Sequence, residues 1–291
     1  MMQKIGQELH ENTGAFETTR WSPRILDMCM APGGFLSKAL ELNPGSRATA
    51  FSLPTRDGGH KVLLQKKDRV KMKFLDITML AADMGVMNIP TGHEDADNFL
   101  PAQFEPNEEF DIVLCDGQVL RTQSRASYRD DREATRLICA QLVLGLEHLR
   151  KGGTMIVLMH KAEAWDTVLT LRSFSTFSNI TLYKPKKAHT KRSSFYLIAK
   201  DIDSKSPEGI SAVKEWKEAW RLATFETGQE REREIRANDP PMAEVLEKFG
   251  PKLISLGTHV WKVQADSLAE APFVKNAPDK PDSAAAEKDG Q

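Results

Sequence analysis

The run 25–35, ILDMCMAPGGF, constrains this chain more than any other stretch. Its apolar start reads as a buried strand, its Pro-Gly-Gly as a tight turn, and residues 35–42 as the helix that follows. A strand that turns directly into a helix is the unit of a doubly wound α/β sheet, and it places a small-molecule site at the strand's carboxyl end. Gly33 and Gly34 take backbone angles that other residues avoid and, lacking a Cβ, let a ligand approach the main chain. The helix beyond them aims its free N–H groups at the same point. A dinucleotide turn reads G-x-G-x-x-G. Here a proline precedes two adjacent glycines and no third follows, which leaves that reading weak. A turn used only to reverse the chain is the plainer alternative.

Further strand signals stand at 48–53, 70–75, 110–115, 154–160, 180–183 and 194–200, with the first at 24–29. Helical or loop segments separate the first four, so parallel crossovers are expected, while 180–183 and 194–200 read as an antiparallel pair across a Lys/Pro-rich loop. Between Asp131 and Arg150, Ile138, Leu142, Leu146 and Leu149 recur at helical spacing. Residues 93–109 are acidic, carry two prolines and lack periodicity, as an inserted loop does.

Beyond the α/β part, 207–225 is predicted as a helix with Ile210, Val213, Trp216 and Trp220 on one face. A charged helical run at 230–236 and a short helix at 242–249 follow, and from 264 the Ala/Lys/Asp/Pro composition predicts a disordered tail. Three units result: an α/β domain at 1–200, a helical extension at 201–263 and a tail at 264–291.

With 291 residues, 40% of them hydrophobic, the chain can bury a full core. No apolar run approaches the roughly 20 residues that span a bilayer, and residues 1–11 are polar, without a signal peptide's apolar region. Cys29, Cys115 and Cys139 are too few and too scattered for a disulfide or zinc framework, so no metal site is expected. They read as reduced core residues of an intracellular protein, in nucleus or cytoplasm. Oligomeric state is not encoded in any pattern found.

The net charge of −1 does not announce a nucleic-acid binder, but its distribution is uneven. Lys184, Lys186, Lys187, Lys191 and Arg192 crowd one loop with His189, and Lys66, Lys67, Arg69, Lys71 and Lys73 crowd another. A phosphate backbone would be drawn to both. Ordinary solvated faces are the plainer explanation.

The pattern D-x-x-x-A-P-G-G-F, carried by Asp27, Ala31, Pro32, Gly33, Gly34 and Phe35, resembles the first motif of FtsJ-type S-adenosylmethionine-dependent methyltransferases, which methylate ribose 2′-hydroxyls of RNA. Residues 110–117 resemble that family's fourth strand, which ends in a catalytic Asp; 151–159 resemble its Gly-Gly-to-strand step and 183–199 its closing hairpin. The likeness covers roughly residues 4 to 200. It implies a Rossmann-like fold, S-adenosyl-L-methionine as cofactor and RNA as partner through the Lys184 to Arg192 loop. It also implies that Asp27 faces the methionine end of the cofactor and that Asp76 accepts from the adenine amino group, a helix-cap role being the alternative for Asp76. Ser52 stands where an acidic residue would hold the ribose.

By the same resemblance, catalysis uses a Lys-Asp-Lys-Glu tetrad whose central lysine assists deprotonation of the hydroxyl. Asp116 fills the Asp position and Lys4 resembles the first lysine. Leu158 stands at the central lysine, with Lys161 or His160 as nearby substitutes, and Ser194 stands at the glutamate. Three readings remain open: an RNA ribose 2′-O-methyltransferase, a non-catalytic module of the same fold binding RNA or protein, and a methyltransferase for another acceptor.

Overall fold

The computed structural model describes residues 1–65, 67–226, 236, 237 and 239–272. Seven strands form one sheet: β1 (Arg24–Asp27), β2 (Arg47–Ser52), β3 (Val70–Phe74), β4 (Phe110–Cys115), β5 (Leu149–His160), β6 (Asn179–Tyr183) and β7 (Ser194–Ile202). Their order is β3-β2-β1-β4-β5-β7-β6. The first five are parallel and β7 runs antiparallel between β5 and β6. The strand order reverses between β1 and β4, the switch point at which doubly wound sheets open a crevice for ligands.

Both faces are apolar because successive strand residues point to opposite sides. Leu26, Val113, Cys115, Met155, Val157, Phe195 and Leu197 join one core, and Ile25, Ile112, Leu114, Ile156, Tyr196 and Ile198 join the other. The second core is closed by α1 (Met2–Thr13) and α2 (Gly34–Leu42), through Ile5, Leu9, Leu36 and Leu40. The first is closed by α3 (Glu133–Glu147), α4 (Trp165–Phe177), α5 (Pro207–Phe225) and α6 (Met242–Ala269). Helix α5 carries Ser206 as N-cap and proline at its first position, which is why its start is legible from sequence. Trp220, 0% exposed, anchors it and donates from its indole N–H to the Thr78 carbonyl.

Two expectations fail in instructive ways. The predicted 242–249 helix runs on to Ala269, through Pro251 and past the expected tail boundary at 264. Proline removes one donor and disfavours the helix, yet Leu253, Gly257 and Val260 stay buried beyond it, and that tertiary burial carries the helix onward. The Lys151-Gly152-Gly153 segment is an irregularity inside β5 rather than a turn before it: Gly152 takes φ 79 and the β5 register shifts between Gly153 and Met155. Residues 273–291 of the expected tail and nearly all of the 230–236 run lie outside the described residues.

Candidate active site

The carboxyl ends of β1, β2, β4 and β5 and the start of β7 open into a cavity of about 690 Å³. Its floor is the turn expected from sequence: Ala31, Pro32, Gly33, Gly34 and Phe35 all line it, and the Ala31–Pro32 peptide is cis. Gly33 sits at φ 102 as the N-cap of α2, a conformation open to glycine and few other residues. Gly34 has a different reason to be glycine. A Cβ there would lie 3.0 Å from Met2 Cβ, so its missing side chain seats α1, and Met1, Met2 and Gln3 wall the cavity beside it.

Beneath the floor lies Asp27, 1% exposed; its Oδ1 accepts from the Cys29 N–H and its Oδ2 has no partner among the described residues. Asp116 closes β4 on the cavity wall. Burial, and then the charge of Asp116, push the Asp27 carboxyl well above its ordinary range, while burial lifts Asp116 to about 7. No basic side chain is among the groups that set either value. The buried Asp27 and the half-buried Asp116 beside it suit a ligand that brings positive charge of its own.

At the far end Asp76 is fully engaged. Its Oδ1 accepts from the Thr78 N–H at 2.9 Å and hydroxyl at 2.8 Å, and its Oδ2 from Gln123 at 3.0 Å and Arg129 at 2.6 Å. Four bonds fill a carboxylate's lone pairs, so Asp76 is the cap of the Ile77–Met79 turn and half of an ion pair. The adenine-acceptor role implied by resemblance would require Gln123 to let go. Arg129 also holds the buried Glu133 at 2.6 Å, and Arg136 donates to the Thr78 carbonyl at 3.0 Å. Sequence reasoning passed over these three, although a step of three places Glu133 and Arg136 on one face of α3 and Arg129 stands four residues before its start. Ser52 lines the cavity, with only a weak 3.5 Å bond to the Leu53 carbonyl.

A family model described as FtsJ-like methyltransferase matches residues 7–202. The chain belongs to the FtsJ-like methyltransferase family. Among solved structures, a protein from Plasmodium falciparum described as a ribosomal RNA methyltransferase aligns with 18% identity and a TM-score of 0.45, over 69% of this chain and 96% of that one. None of the curated proteins compared with the chain matches it.

In this member of the family the cavity is also walled by Asp116, Leu158, Ser194 and Tyr196, with His189 and Arg192 from the loop before β7. Leu158 pairs with Tyr196 in the β5–β7 register, and Tyr196 stacks on Phe35 at 5.6 Å. Three expected catalytic residues do not line the cavity. Lys4 is exposed on α1. Lys161 is exposed at φ 50 in the turn after β5, its N–H bound to the Ser193 carbonyl. His160, paired with Ser194 in register, lies outside the lining and meets Gln118 at 3.4 Å. Desolvation, and then Lys184, Arg192 and Lys161, lower its pKa, so it is neutral at pH 7. The β7 period of two, which puts Ser194 and Tyr196 on one side, was the sequence signal for Tyr196.

The basic segments divide. Lys184 is 0% exposed, with its ammonium on three main-chain carbonyls, and so is no phosphate contact. Lys186, Lys187, Lys191 and Arg192 remain exposed or part-exposed. In the other segment Arg69 donates to the Leu40 carbonyl at 3.0 Å and Lys73 to that of Gln103, both structural bonds. Lys66 and the Lys67 side chain lie outside the described residues. Among the described residues, no group of three His, Cys, Asp or Glu is placed to hold a metal ion, and no helix is long and apolar enough to cross a membrane.

Proposed function

We propose that this chain is an S-adenosylmethionine-dependent RNA methyltransferase whose acceptor is a ribose 2′-hydroxyl. One observation carries the reading: a single cavity is lined at once by the glycine turn, by Asp116 and by Arg192 of the basic loop. Cofactor, acceptor and phosphate backbone could therefore meet in it.

The residues fit the cofactor. Its volume is in the range of small-molecule pockets, the Gly33 turn leaves the main chain open, and the unpaired Asp27 oxygen together with Asp116 offsets a cation. When bound, S-adenosylmethionine supplies a methyl group on a positive sulfur. Asp116 then does what the missing lysine cannot: with a pKa of about 7 it is half-ionised at neutrality, and its carboxylate takes the hydroxyl proton as methyl transfer proceeds. Leu158 and Tyr196 line the same cavity and place apolar surface where the lysine would stand. Arg192 and His189 steer the phosphate beside the acceptor.

Leu158 at the lysine position also favours a second reading, a module of this fold that binds RNA or protein without catalysis. Calorimetry with S-adenosylmethionine and its demethylated product, followed by a methylation assay on total RNA with nucleoside analysis, separates the two. Binding with 2′-O-methyl product supports the enzyme; binding without transfer supports the module; no binding removes the enzyme reading.

A further inference from the structure

Lys184 follows β6, is 0% exposed, and sends its ammonium to the carbonyls of His189 (3.3 Å), Arg192 (2.6 Å) and Ser194 (2.7 Å). An ammonium has three donors, and all three are spent on one stretch of main chain. The His189 carbonyl also accepts from the Arg192 N–H at 3.0 Å, which turns the 185–193 loop over the lysine. His189 takes φ 57 there, a conformation a non-glycine residue holds only when its surroundings impose it. A second clamp acts from outside: Glu8 Oε1 on α1 accepts from the Lys186 N–H at 2.7 Å and from the Tyr183 hydroxyl at 3.0 Å. Three residues of the pinned loop, Pro185, His189 and Arg192, line the cavity that Asp116 also lines.

We infer that Lys184 is a positioning residue for the RNA acceptor: its three-carbonyl clamp, backed by Glu8, preforms the 185–193 loop so that Arg192 and His189 line the cavity with Asp116 before RNA arrives. The inference rests on the RNA reading given above. A loop built in advance spares the ordering cost at binding, and a displacement of about 1 Å at a reacting group is enough to cost on the order of a hundredfold in rate. Lys184 therefore acts on RNA without touching it, unlike Lys187, Lys191 and Arg192.

Lys184→Met keeps the stem and removes the donors. In the full chain without RNA, amide hydrogen exchange over 186–193 should accelerate at least tenfold while exchange in β4 and affinity for S-adenosylmethionine hold. With RNA, affinity should fall on the order of tenfold with an unchanged salt slope, whereas Arg192→Ala should flatten the slope by about 0.7 for a single-stranded contact. Glu8→Gln, which weakens the outer clamp from the surface, should accelerate exchange in the same stretch and serves where the buried substitution fails to fold. Unchanged loop exchange in both variants overturns the clamp, and a slope flattened by Lys184→Met makes it a phosphate contact instead. Wild-type protein that binds no RNA, with the loop exchange as expected, defeats the RNA reading and leaves the clamp standing.

Discussion

The two ends of one cavity are built by different rules. The cofactor end comes from a single contiguous run: strand, Pro-Gly-Gly turn and helix, with Asp27 beneath it and the Asp76–Arg129–Glu133 network at its edge. The acceptor end is assembled from β4, β5, β7 and the loop before β7, and in place of a cation beside Asp116 it sets Leu158 and Tyr196. At the edge of the first end Asp76 is neutralised by Arg129, whereas burial holds the carboxyls of Asp27 and of Asp116 above their ordinary range. A methyltransferase fold can keep its cofactor geometry intact while the proton chemistry next to it is rearranged, because the two ends share a cavity and few side chains.

The sharpest way to break that contrast is kinetic. Asp116→Asn should cut methyl transfer by about a thousandfold, within the usual range for a lost acid–base group, with binding of the demethylated product nearly kept. Lys161→Ala should change the rate less than about threefold, since that side chain stays outside the lining. Equal losses in single-turnover assays would return the central role to Lys161 and dissolve the difference between the ends.

Leu158→Lys sharpens the same point. A lysine placed there enters the cavity that Asp116 lines, and an opposite charge within about 4–6 Å lowers a carboxylate's pKa by about 1 to 3 units. The rate of the wild type should rise with pH and level off above about 7; in the variant the rise should move to lower pH by about that amount. An inflection that stays at its wild-type position would mean Asp116 is not the titrating base.

How much of this was legible in the sequence follows from the same division. The glycine turn, the first four parallel strands and α5 could be read because each is fixed by residues adjacent in the chain: Gly33 by its own φ, α5 by Ser206 and Pro207. The length of α6 could not, since what carries it past Pro251 is burial of Leu253 and Val260 against distant parts of the fold. Lys184 looked like one of a basic cluster; only the fold of the loop over it reveals an ammonium spent on carbonyls. Lys161 and His160 are near Leu158 in number, but Lys161 lies in the turn beyond β5 at φ 50 and His160, the last residue of the strand, is exposed beside Gln118.

The smallest expected effect is on stability, and its sign is set by the direction of the Asp116 shift. An unfolded chain releases this proton near the ordinary value of 3.8, whereas the folded chain holds it to about 7. Between those values the folded state binds more protons than the unfolded one, so stability falls as pH rises from about 4 to 7 and is flat above. Asp27, raised by burial and by the charge of Asp116, acts in the same direction. Asparagine at 116 resembles the protonated acid and cannot ionise, so Asp116→Asn should exceed wild type in melting temperature at both pH 5 and pH 8, and by more at pH 8. The gain should be about 2–4 °C for each kcal/mol of relieved burial, as expected for a chain of this size. A ligand that carries positive charge should shrink the gap, because the ionised carboxylate of the wild type then has a partner the amide cannot supply. Thermal melts of the two proteins at both pH values, with and without S-adenosylmethionine, measure it. If the variant melts lower at pH 8, Asp116 is stabilising as an anion and the acceptor end holds a cation after all.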